Sequence, residues 1–285
     1  MNQTLEDLIK SFPTTPFLFV GSGLTRRYLN LPNWDELLQY FTSRLSSDSF
    51  KYQELMNEAN GDKAKVGTLI AQEFTRRWFK EPSFRSESAE ITKLVKSDVS
   101  PFKAELAEYI KNKSTITPEY ATEIELLKQL TVFNISGFIT TNYDTFLECI
   151  APKYKVYTSQ EELLFGTIHG VAEIFKIHGS VDNPSSLIIT AEDYAAFDAK
   201  SSYLAAKLTT IFVEYPIIFI GYSLSDPNIR KILSSIARGL TDKHLGKLSD
   251  RLIFVKRNKL LESSAEVSSH SIDIDGHYIP ATKIE

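Results

Sequence analysis

Six short, mainly apolar runs constrain the fold of this chain more than any other feature of its sequence. Each run is about four residues long and is followed by a turn or by a helical pattern. Continuous apolar runs of this length are typical of strands that are buried on both faces, as in a parallel sheet covered by helices. The runs lie at residues 17–20, 137–140, 174–177, 187–190, 217–220 and 252–255.

Helical periodicity separates several of these runs. Residues 227–240 give the clearest example, with apolar residues at steps of 3, 1, 3 and 4 from Ile229 to Leu240. Similar apolar faces occur over residues 118–132 and 204–212. Strands that alternate with helices in this way predict an α/β fold, specifically a Rossmann-like, doubly wound and mainly parallel sheet.

The stretch between the first two runs differs from the rest of the chain. Residues 46–113 contain no strand-like run, and Ile70, Phe74 and Trp78 give them an amphipathic helical face. We interpret this stretch as a helical insertion that caps the sheet. The tail becomes polar and then alternates like a strand, so we expect an extension that leads into a downstream domain. The predicted division is a core of residues 1–45 and 114–260, the insertion 46–113 and the extension 261–285.

Charge and composition exclude several classes of function. Lys and Arg total 32 against 36 Asp and Glu, a net charge of −4 that gives no electrostatic reason to expect a nucleic-acid partner. The apolar runs are far shorter than the roughly 20 residues of a membrane-spanning helix. A single cysteine, Cys149, excludes intrachain disulfides and cysteine-rich zinc modules. We therefore expect a cytoplasmic protein with no membrane contact.

The first candidate site residues follow the first predicted strand. They are Gly21, Ser22, Gly23 and Thr25. Glycines at such a turn let the backbone approach a pyrophosphate, and the free N–H groups there favour anions. A plain tight turn would use the same glycines, and two glycines alone are a weak signal. We also predict a loop over residues 24–32 before a helix capped by Asn33, and a loop that long favours a ligand.

Two further blocks follow the ends of later strands. Thr141, Asn142 and Asp144 come after the second run, where polar side chains line the ligand crevice of an open α/β sheet. Asn142 or Asp144 could instead cap the next helix. His178 follows the run 174–177, and an ordinary histidine pKa near 6.5 suits a general base. A lone histidine is, however, more often structural than catalytic.

The last block closes the run 217–220. Gly221 and Ser223 lie next to that strand and are ligand candidates. Asp226 precedes Pro227, which is typical of a helix start, and we assign Asp226 that structural role. The sequence contains no His-Glu-x-x-His pair and no Gly-x-x-x-x-Gly-Lys loop, so we expect no metal site and no triphosphate loop.

Taken in order, the four blocks resemble the sirtuin family, particularly its divergent branch in prokaryotic antiphage defence. Sirtuins carry a Gly-Ala-Gly-Ile-Ser loop, a Thr-Gln-Asn-hydrophobic-Asp block, a His-Gly pair and a Gly-Thr-Ser block. The matching stretches here begin at Gly21, Thr141, His178 and Gly221. The resemblance covers roughly residues 15–257, and four blocks in the right order are more specific than any one of them.

Three departures count against peptide deacylation. The four-cysteine zinc module of the deacylases is absent between His178 and Gly221, and their Pro-Asp-Phe-Arg stretch is replaced by Leu-Pro-Asn-Trp-Asp at 31–35. Thr141 stands where the deacylases have glutamine. The defence branch shows this pattern, so the resemblance implies an NAD+ hydrolase that depletes NAD+ during phage infection. NAD+ is then a substrate, and no metal is needed.

The resemblance also implies roles for the candidate residues. The glycine loop with Ser22 would hold the pyrophosphate, and Asp144 would bind the nicotinamide carboxamide. Asn142 would position water or the ribose hydroxyls, and His178 would act as the general base. Gly221 and Ser223 would face the adenosine ribose or a phosphate, and Thr25 and Thr141 complete the NAD+-binding set.

The sequence is also compatible with other functions. The same loops would serve a non-catalytic module that binds NAD+ or an ADP-ribose nucleotide, and a protein deacylase or ADP-ribosyltransferase is a more remote alternative. The resemblance further implies a homo-oligomer that works with a downstream domain or a partner protein that senses phage.

Overall fold

The computed structural model describes residues 4–159, 162, 172–200, 202–257, 265–274 and 276–285. Its strands form one eight-stranded sheet, and helices pack on both faces. The strands are β1 Phe17–Val20, β2 Gly137–Thr140, β3 Lys155–Tyr157, β4 Glu173–Lys176, β5 Ile217–Ile220, β6 Leu252–Val255, β7 Val267–Ile274 and β8 His277–Ile284.

Most of the helices lie between strands along the chain, and seven of them lie between β1 and β2. They are α1 Leu5–Lys10, α2 Ser22–Leu29, α3 Trp34–Leu45, α4 Lys51–Glu58, α5 Lys63–Lys80, α6 Ala89–Lys96, α7 Pro101–Lys113, α8 Ala121–Phe133, α9 Phe146–Ile150, α10 Ala191–Lys200, α11 Ser202–Glu214, α12 Pro227–Gly239 and α13 Asp242–Leu245. Short 3-10 turns lie at Pro82–Phe84, Pro118–Tyr120, Pro184–Ser186 and Gly246–Asp250.

The order of the strands determines where a ligand site can form. The order is β3-β4-β2-β1-β5-β6-β8-β7, and every pair is parallel except β7 with β8. The predicted Rossmann-like, doubly wound fold is confirmed. β1 lies between β2 and β5, so the connections that leave β1 and β5 diverge and open a crevice at their carboxyl ends.

The core has two layers because successive side chains of β1 point to opposite faces. Leu18 and Val20 pack with α3, α5 and α7, whereas Phe17 and Phe19 pack with α11 and α12. Ile70 and Phe74 of α5 are completely buried in the first layer. The stretch 46–113 therefore shares a continuous core with the sheet, and it contains α4 to α7.

The last two strands of the chain belong to the central sheet. β7 and β8 form a hairpin, and β8 pairs in parallel with β6 at the side of the sheet. Buried Ile274 and Ile279 belong to the second core layer. The alternating pattern of the sequence thus corresponds to strands that add to the central sheet. The division into core, insertion and extension stays a prediction.

Two predicted elements are wrong. Residues 187–190 are buried but do not form a strand, since β3 occupies the place beside β4 and the backbone is pressed against α5 instead. A Cβ on Gly67 of α5 would lie 2.3 Å from the Ile189 carbonyl oxygen. The predicted loop over 24–32 is also largely helical, because α2 begins immediately after Gly21. The cap at Asn33 is confirmed, with its side chain accepting from Glu36 N.

None of the helices within the described ranges combines the length and the apolar character that crossing a membrane requires.

Candidate functional site

A cavity of about 900 Å³ opens at the carboxyl ends of β1, β2, β4 and β5, where the strand order changes direction. Its volume lies within the usual range of ligand pockets, roughly 300–1,000 Å³. Nine of the ten predicted site residues line it. The nine are Ser22, Gly23, Thr25, Thr141, Asn142, Asp144, His178, Gly221 and Ser223. Gly21 lies just behind this wall.

Three glycines join the loop after β1 to the loop after β5. Gly23 N donates to the Gly221 carbonyl oxygen at 3.0 Å. A Cβ on Gly21 would lie 2.3 Å from that oxygen, and a Cβ on Gly23 would lie 2.7 Å from the Gly221 Cα. Gly221 also has a φ of +62°, which disfavours other residues. The glycines therefore have a steric reason to be present, besides the close approach that a ligand would need.

Asn142 is held at the centre of the cavity wall. Its side-chain Nδ2 donates to the Gly21 carbonyl oxygen at 3.1 Å and lies 3.5 Å from Thr25 Oγ1. Its backbone N–H donates to Thr140 Oγ1, which in turn donates to the Val20 carbonyl oxygen. Asn142 does not cap a helix. It links the end of β2 to the glycine loop.

Asp144 does serve the following helix, because its Oδ1 accepts from Phe146 N at 3.0 Å. The predicted capping alternative is thus partly correct for this residue. Burial raises the pKa of Asp144, and the nearby Lys176 ammonium offsets this only in part. The neutral form of this carboxyl group is therefore less unfavourable than it is in water, and a neutral carboxyl can donate as well as accept a hydrogen bond.

Lys176 positions the loop that carries these two residues. Its side chain is fully buried at the end of β4, where Nζ lies 2.7 Å from Glu148 Oε1. Nζ also donates to the carbonyl oxygens of Tyr143 and Asp144. Sequence analysis missed this role. The available signal was a lysine inside an otherwise apolar strand, next to the His-Gly pair.

His178 is presented by a sharp turn after β4. Gly179 has a φ of +85°, and a Cβ there would lie 2.3 Å from the Ser186 carbonyl oxygen. The imidazole ring is buried edge-on against Tyr194 and Phe197 of α10, with ring centroids 5.4 and 6.3 Å away. The alternative that His178 is merely a core residue does not account for its place on the cavity wall.

Asp226 has a second contact that sequence analysis missed. Its Oδ1 accepts from Asn228 N and Ile229 N at 2.9 and 3.1 Å, so the predicted helix cap is confirmed. Its Oδ2 lies 3.0 Å from His178 Nε2. Burial opposes ionisation of Asp226, but His178 and the two helix N–H groups outweigh it and lower the pKa.

Several buried polar atoms around the cavity have no hydrogen-bond partner among the described residues. Three of them are Trp34 Nε1, Tyr222 OH and Asn228 Nδ2, and all three residues line the cavity. An unpaired buried polar group costs about 1–3 kcal/mol, and most such groups in proteins are paired. A ligand rich in hydroxyl, carbonyl and phosphate oxygens would satisfy these donors. Sequence analysis assigned no site role to these three residues.

The opposite rim of the cavity comes from the start of α3 and the start of α5. Asp35 pairs with Lys63 Nζ at 2.9 Å and accepts from Tyr52 OH at 2.6 Å. Burial opposes the ionisation of Asp35, but Tyr52 and Lys63 together lower its pKa. Arg26 and Glu36 form a second rim pair at 2.8 Å. This rim is half-exposed and charged, unlike the strand-end wall.

Within the described residues, no group of three or more His, Cys, Asp or Glu is arranged to hold a metal ion.

Comparison with known proteins agrees with this geometry. Residues 136–274, which contain β2, Asn142, His178 and Asp226, match the family model of the SIR2-like domain. Just under half of the chain is thus similar to the SIR2-like domain family. The resemblance to sirtuins predicted from the four sequence blocks is therefore confirmed.

Several relatives of this SIR2-like protein carry functional names. NAD(+) hydrolase ThsA of Bacillus cereus (strain MSX-D12) is 24% identical over 83% of this chain and 44% of the relative. NAD(+) hydrolase ThsA of Enterococcus faecium is 30% identical over 46% of this chain and 31% of the relative. Defense-associated sirtuin 2 of Bacillus subtilis is 25% identical over 39% of this chain and 11% of the relative. The SIR2-like chain thus spans less than half the length of these relatives.

Proposed function

We propose that this SIR2-like protein is an NAD+ glycohydrolase that cleaves the bond between nicotinamide and ribose to give nicotinamide and ADP-ribose. The observation that carries the proposal is the convergence of Asn142, Asp144, His178 and the two glycine loops on one cavity at the switch point of the sheet. A dinucleotide is the ligand class that binds at such a point. Relatives named NAD(+) hydrolase support the choice of reaction.

The reaction needs little besides orientation and one base. The positively charged nicotinamide leaves with the electron pair of the glycosidic bond and becomes neutral, while positive charge develops at the ribose carbon. Water attacks that carbon and loses a proton to His178, which returns it to solvent. General-base assistance of this kind contributes about 10²–10⁴-fold in rate. Asn142, fixed by its bond to the Gly21 carbonyl, would position the water or the ribose hydroxyls.

The remaining groups would bind the dinucleotide. Gly21, Ser22 and Gly23 would receive the pyrophosphate at the start of α2, where the helix dipole favours negative charge. The N–H groups of Gly21 and Gly23 already donate to the carbonyl oxygens of Ile220 and Gly221, so these two glycines would contribute close backbone approach rather than donors. Asp144 would hydrogen-bond the nicotinamide carboxamide. Thr25, Thr141, Gly221 and Ser223 would complete the ribose and phosphate contacts. These four also lie on the same cavity wall.

We further propose that the activity serves antiphage defence by depleting NAD+ in the cytoplasm. A relative named defense-associated sirtuin supports this role. Unrestrained loss of NAD+ would be toxic, so the enzyme would need control. Control by homo-oligomerisation, or by a downstream domain or partner protein that senses phage, fits a chain that covers less than half of its relatives' length.

The proposal is tested by incubating the purified chain with NAD+ and following nicotinamide and ADP-ribose by chromatography. We expect release of both products. The rate in His178→Ala should be lower by about 10²-fold or more. His277→Ala is the matched control, because His277 is exposed at the start of β8 and should leave the rate unchanged. Equal rates in wild type and His178→Ala would contradict the assigned base.

A nucleotide-binding module without turnover is the second candidate. The unpaired polar atoms of the cavity wall suit binding as well as catalysis. Saturable NAD+ binding with no product, also after addition of candidate activators, would favour a binding module. ADP-ribose trapped on protein would instead indicate a transferase, and loss of acyl groups from a peptide would indicate a deacylase.

A further inference from the structure

We propose that Asp226 is a positioning residue that holds the imidazole of His178 in the tautomer with a proton on Nε2, so that Nδ1 is the atom that accepts the proton. This inference rests on the proposed function for its catalytic meaning, but the tautomer itself can be measured without turnover. It gives Asp226 a task beyond capping α12.

The carboxylate of Asp226 is fixed before any ligand binds. Its Oδ1 is held by two backbone N–H groups at the start of α12, from Asn228 and Ile229. The other oxygen, Oδ2, is thereby directed towards β4 and lies 3.0 Å from Nε2 of His178. The ring N–H does not meet Oδ2 in the geometry of a regular hydrogen bond, so the contact is a close but bent approach of a donor to a carboxylate oxygen. Such contacts tighten when substrate binds.

The surroundings favour a strong interaction between the two groups. Both side chains are more than nine-tenths buried, and electrostatic attraction is larger in such a site than in water. Titratable groups around the pair include Tyr143 from the loop after β2, Tyr194 from α10 and Tyr222 from the loop after β5. Burial raises the pKa of each of these tyrosines, so they are neutral near pH 7. Asp193 is a second carboxylate near Tyr143 and Tyr194, but it pairs with Lys103 at 2.6 Å, whereas Asp226 contacts His178 itself.

The tautomer matters because a neutral imidazole has one donor nitrogen and one acceptor nitrogen. A carboxylate accepts hydrogen bonds only, so it selects the form with the proton on Nε2. Nδ1 then keeps its lone pair and is the nitrogen left to face a ligand in the cavity. When Nδ1 takes a proton from water, Asp226 stabilises the resulting imidazolium and stays ionised itself. Serine-protease triads pair aspartate and histidine in the same way.

Helix capping alone would not require an aspartate. Asparagine and serine cap helices about as well, so either could replace Asp226 for that purpose. The two substitutions separate the roles. Asp226→Asn keeps a capping oxygen but turns an amide NH₂ towards Nε2, which selects the tautomer with the proton on Nδ1. Asp226→Ser keeps the cap and removes the carboxylate, and it serves as a second variant if Asp226→Asn misfolds.

The first test is the rate of NAD+ cleavage by Asp226→Asn at neutral pH. In serine proteases the corresponding Asp-to-Asn change lowers kcat by about 10⁴, so we expect a loss of about 10²–10⁴ in kcat here with KM little changed. A kcat within about threefold of wild type at neutral pH, less than 1 kcal/mol in barrier, would overturn the proposal.

The second test does not depend on turnover. Nitrogen NMR of the ¹⁵N-histidine-labelled chain, with His178→Ala to assign the signals, reports which ring nitrogen carries the proton. We expect Nε2–H in wild type and Nδ1–H in Asp226→Asn. Nδ1–H in wild type would overturn the proposal. A wild-type chain that shows Nε2–H but never cleaves NAD+ would instead count against the proposed function and leave the His178–Asp226 pairing intact.

Discussion

The two sides of the cavity hold their charges in different ways. On the strand-end side, Lys176 is fully buried and its partner Glu148 is 23% exposed. On the rim, Lys63 and Asp35 are 40% and 35% exposed. Buried charges are fixed by their partners and are costly to leave unpaired, whereas exposed pairs are screened by water and salt. The comparison predicts that breaking a charge pair costs more stability on the strand-end side than on the rim.

The largest expected effect is on the buried side. Lys176→Met should lower the free energy of unfolding by about 3 kcal/mol, the lower end of the range for breaking a buried pair, because Glu148 keeps some exposure. The loss arises because the Glu148 carboxylate and the carbonyl oxygens of Tyr143 and Asp144 accept hydrogen bonds from the Lys176 ammonium in the wild type and lose this donor in the variant. Urea unfolding measures it. The double variant Lys176→Met/Glu148→Gln should recover part of the loss, and a loss below 1 kcal/mol would erase the distinction between the two sides.

A smaller effect, visible as a pH dependence, is expected at Asp144. Burial raises its pKa in the folded chain, so the native state binds this proton more tightly than the unfolded state. The contribution of Asp144 to the wild-type free energy of unfolding should therefore fall as pH rises from about 4, the ordinary aspartate pKa, through the raised value. Asp144→Asn lacks this titration and keeps an acceptor for Phe146 N. Its stability relative to wild type should increase between about pH 4 and pH 7.

Urea unfolding of both proteins at several pH values checks this expectation. A stability difference that stays constant or decreases with rising pH would show that Asp144 is stabilised as a carboxylate. In that case its interaction with Lys176 outweighs burial, and the strand-end side is better described as a charge network.

The smallest effect is expected on the rim. Lys63→Met removes the ion pair with Asp35, but Tyr52 and Gln39 still donate to that carboxylate. Exposed pairs are worth about 0–1 kcal/mol, so the stability should change by less than that. Any change in KM for NAD+ should diminish in high salt. A loss as large as that of Lys176→Met would mean that the rim is as rigid as the opposite wall.

The strand-end wall was predictable because parallel strands bring their carboxyl ends to one edge. Once the short apolar runs are assigned as strands, Asn142 and His178 must lie near one another, however distant in sequence. The sequence also identifies the cap at Asn33 and the cap role of Asp226, which depend on neighbouring residues alone.

The remaining features depend on packing between distant segments. The second contact of Asp226 requires the turn after β4 to meet the start of α12. Residues 187–190 have the composition of a strand, but β3, a short run with an exposed lysine, occupies the place beside β4. The same limit applies to the rim, since the periodicity of α5 indicates its buried face but not that its first turn reaches the cavity.

The contact between Gly23 and Gly221 has a mechanical consequence. The two loops meet backbone to backbone with no space for a methyl group, and Gly23 N–H is bonded across the contact. The close contact and the hydrogen bond oppose movement of one loop relative to the other. The Gly23 amide therefore exchanges with deuterium only when the two loops separate far enough to break this hydrogen bond. Its exchange rate therefore measures, at one amide, how often the loops after β1 and β5 separate.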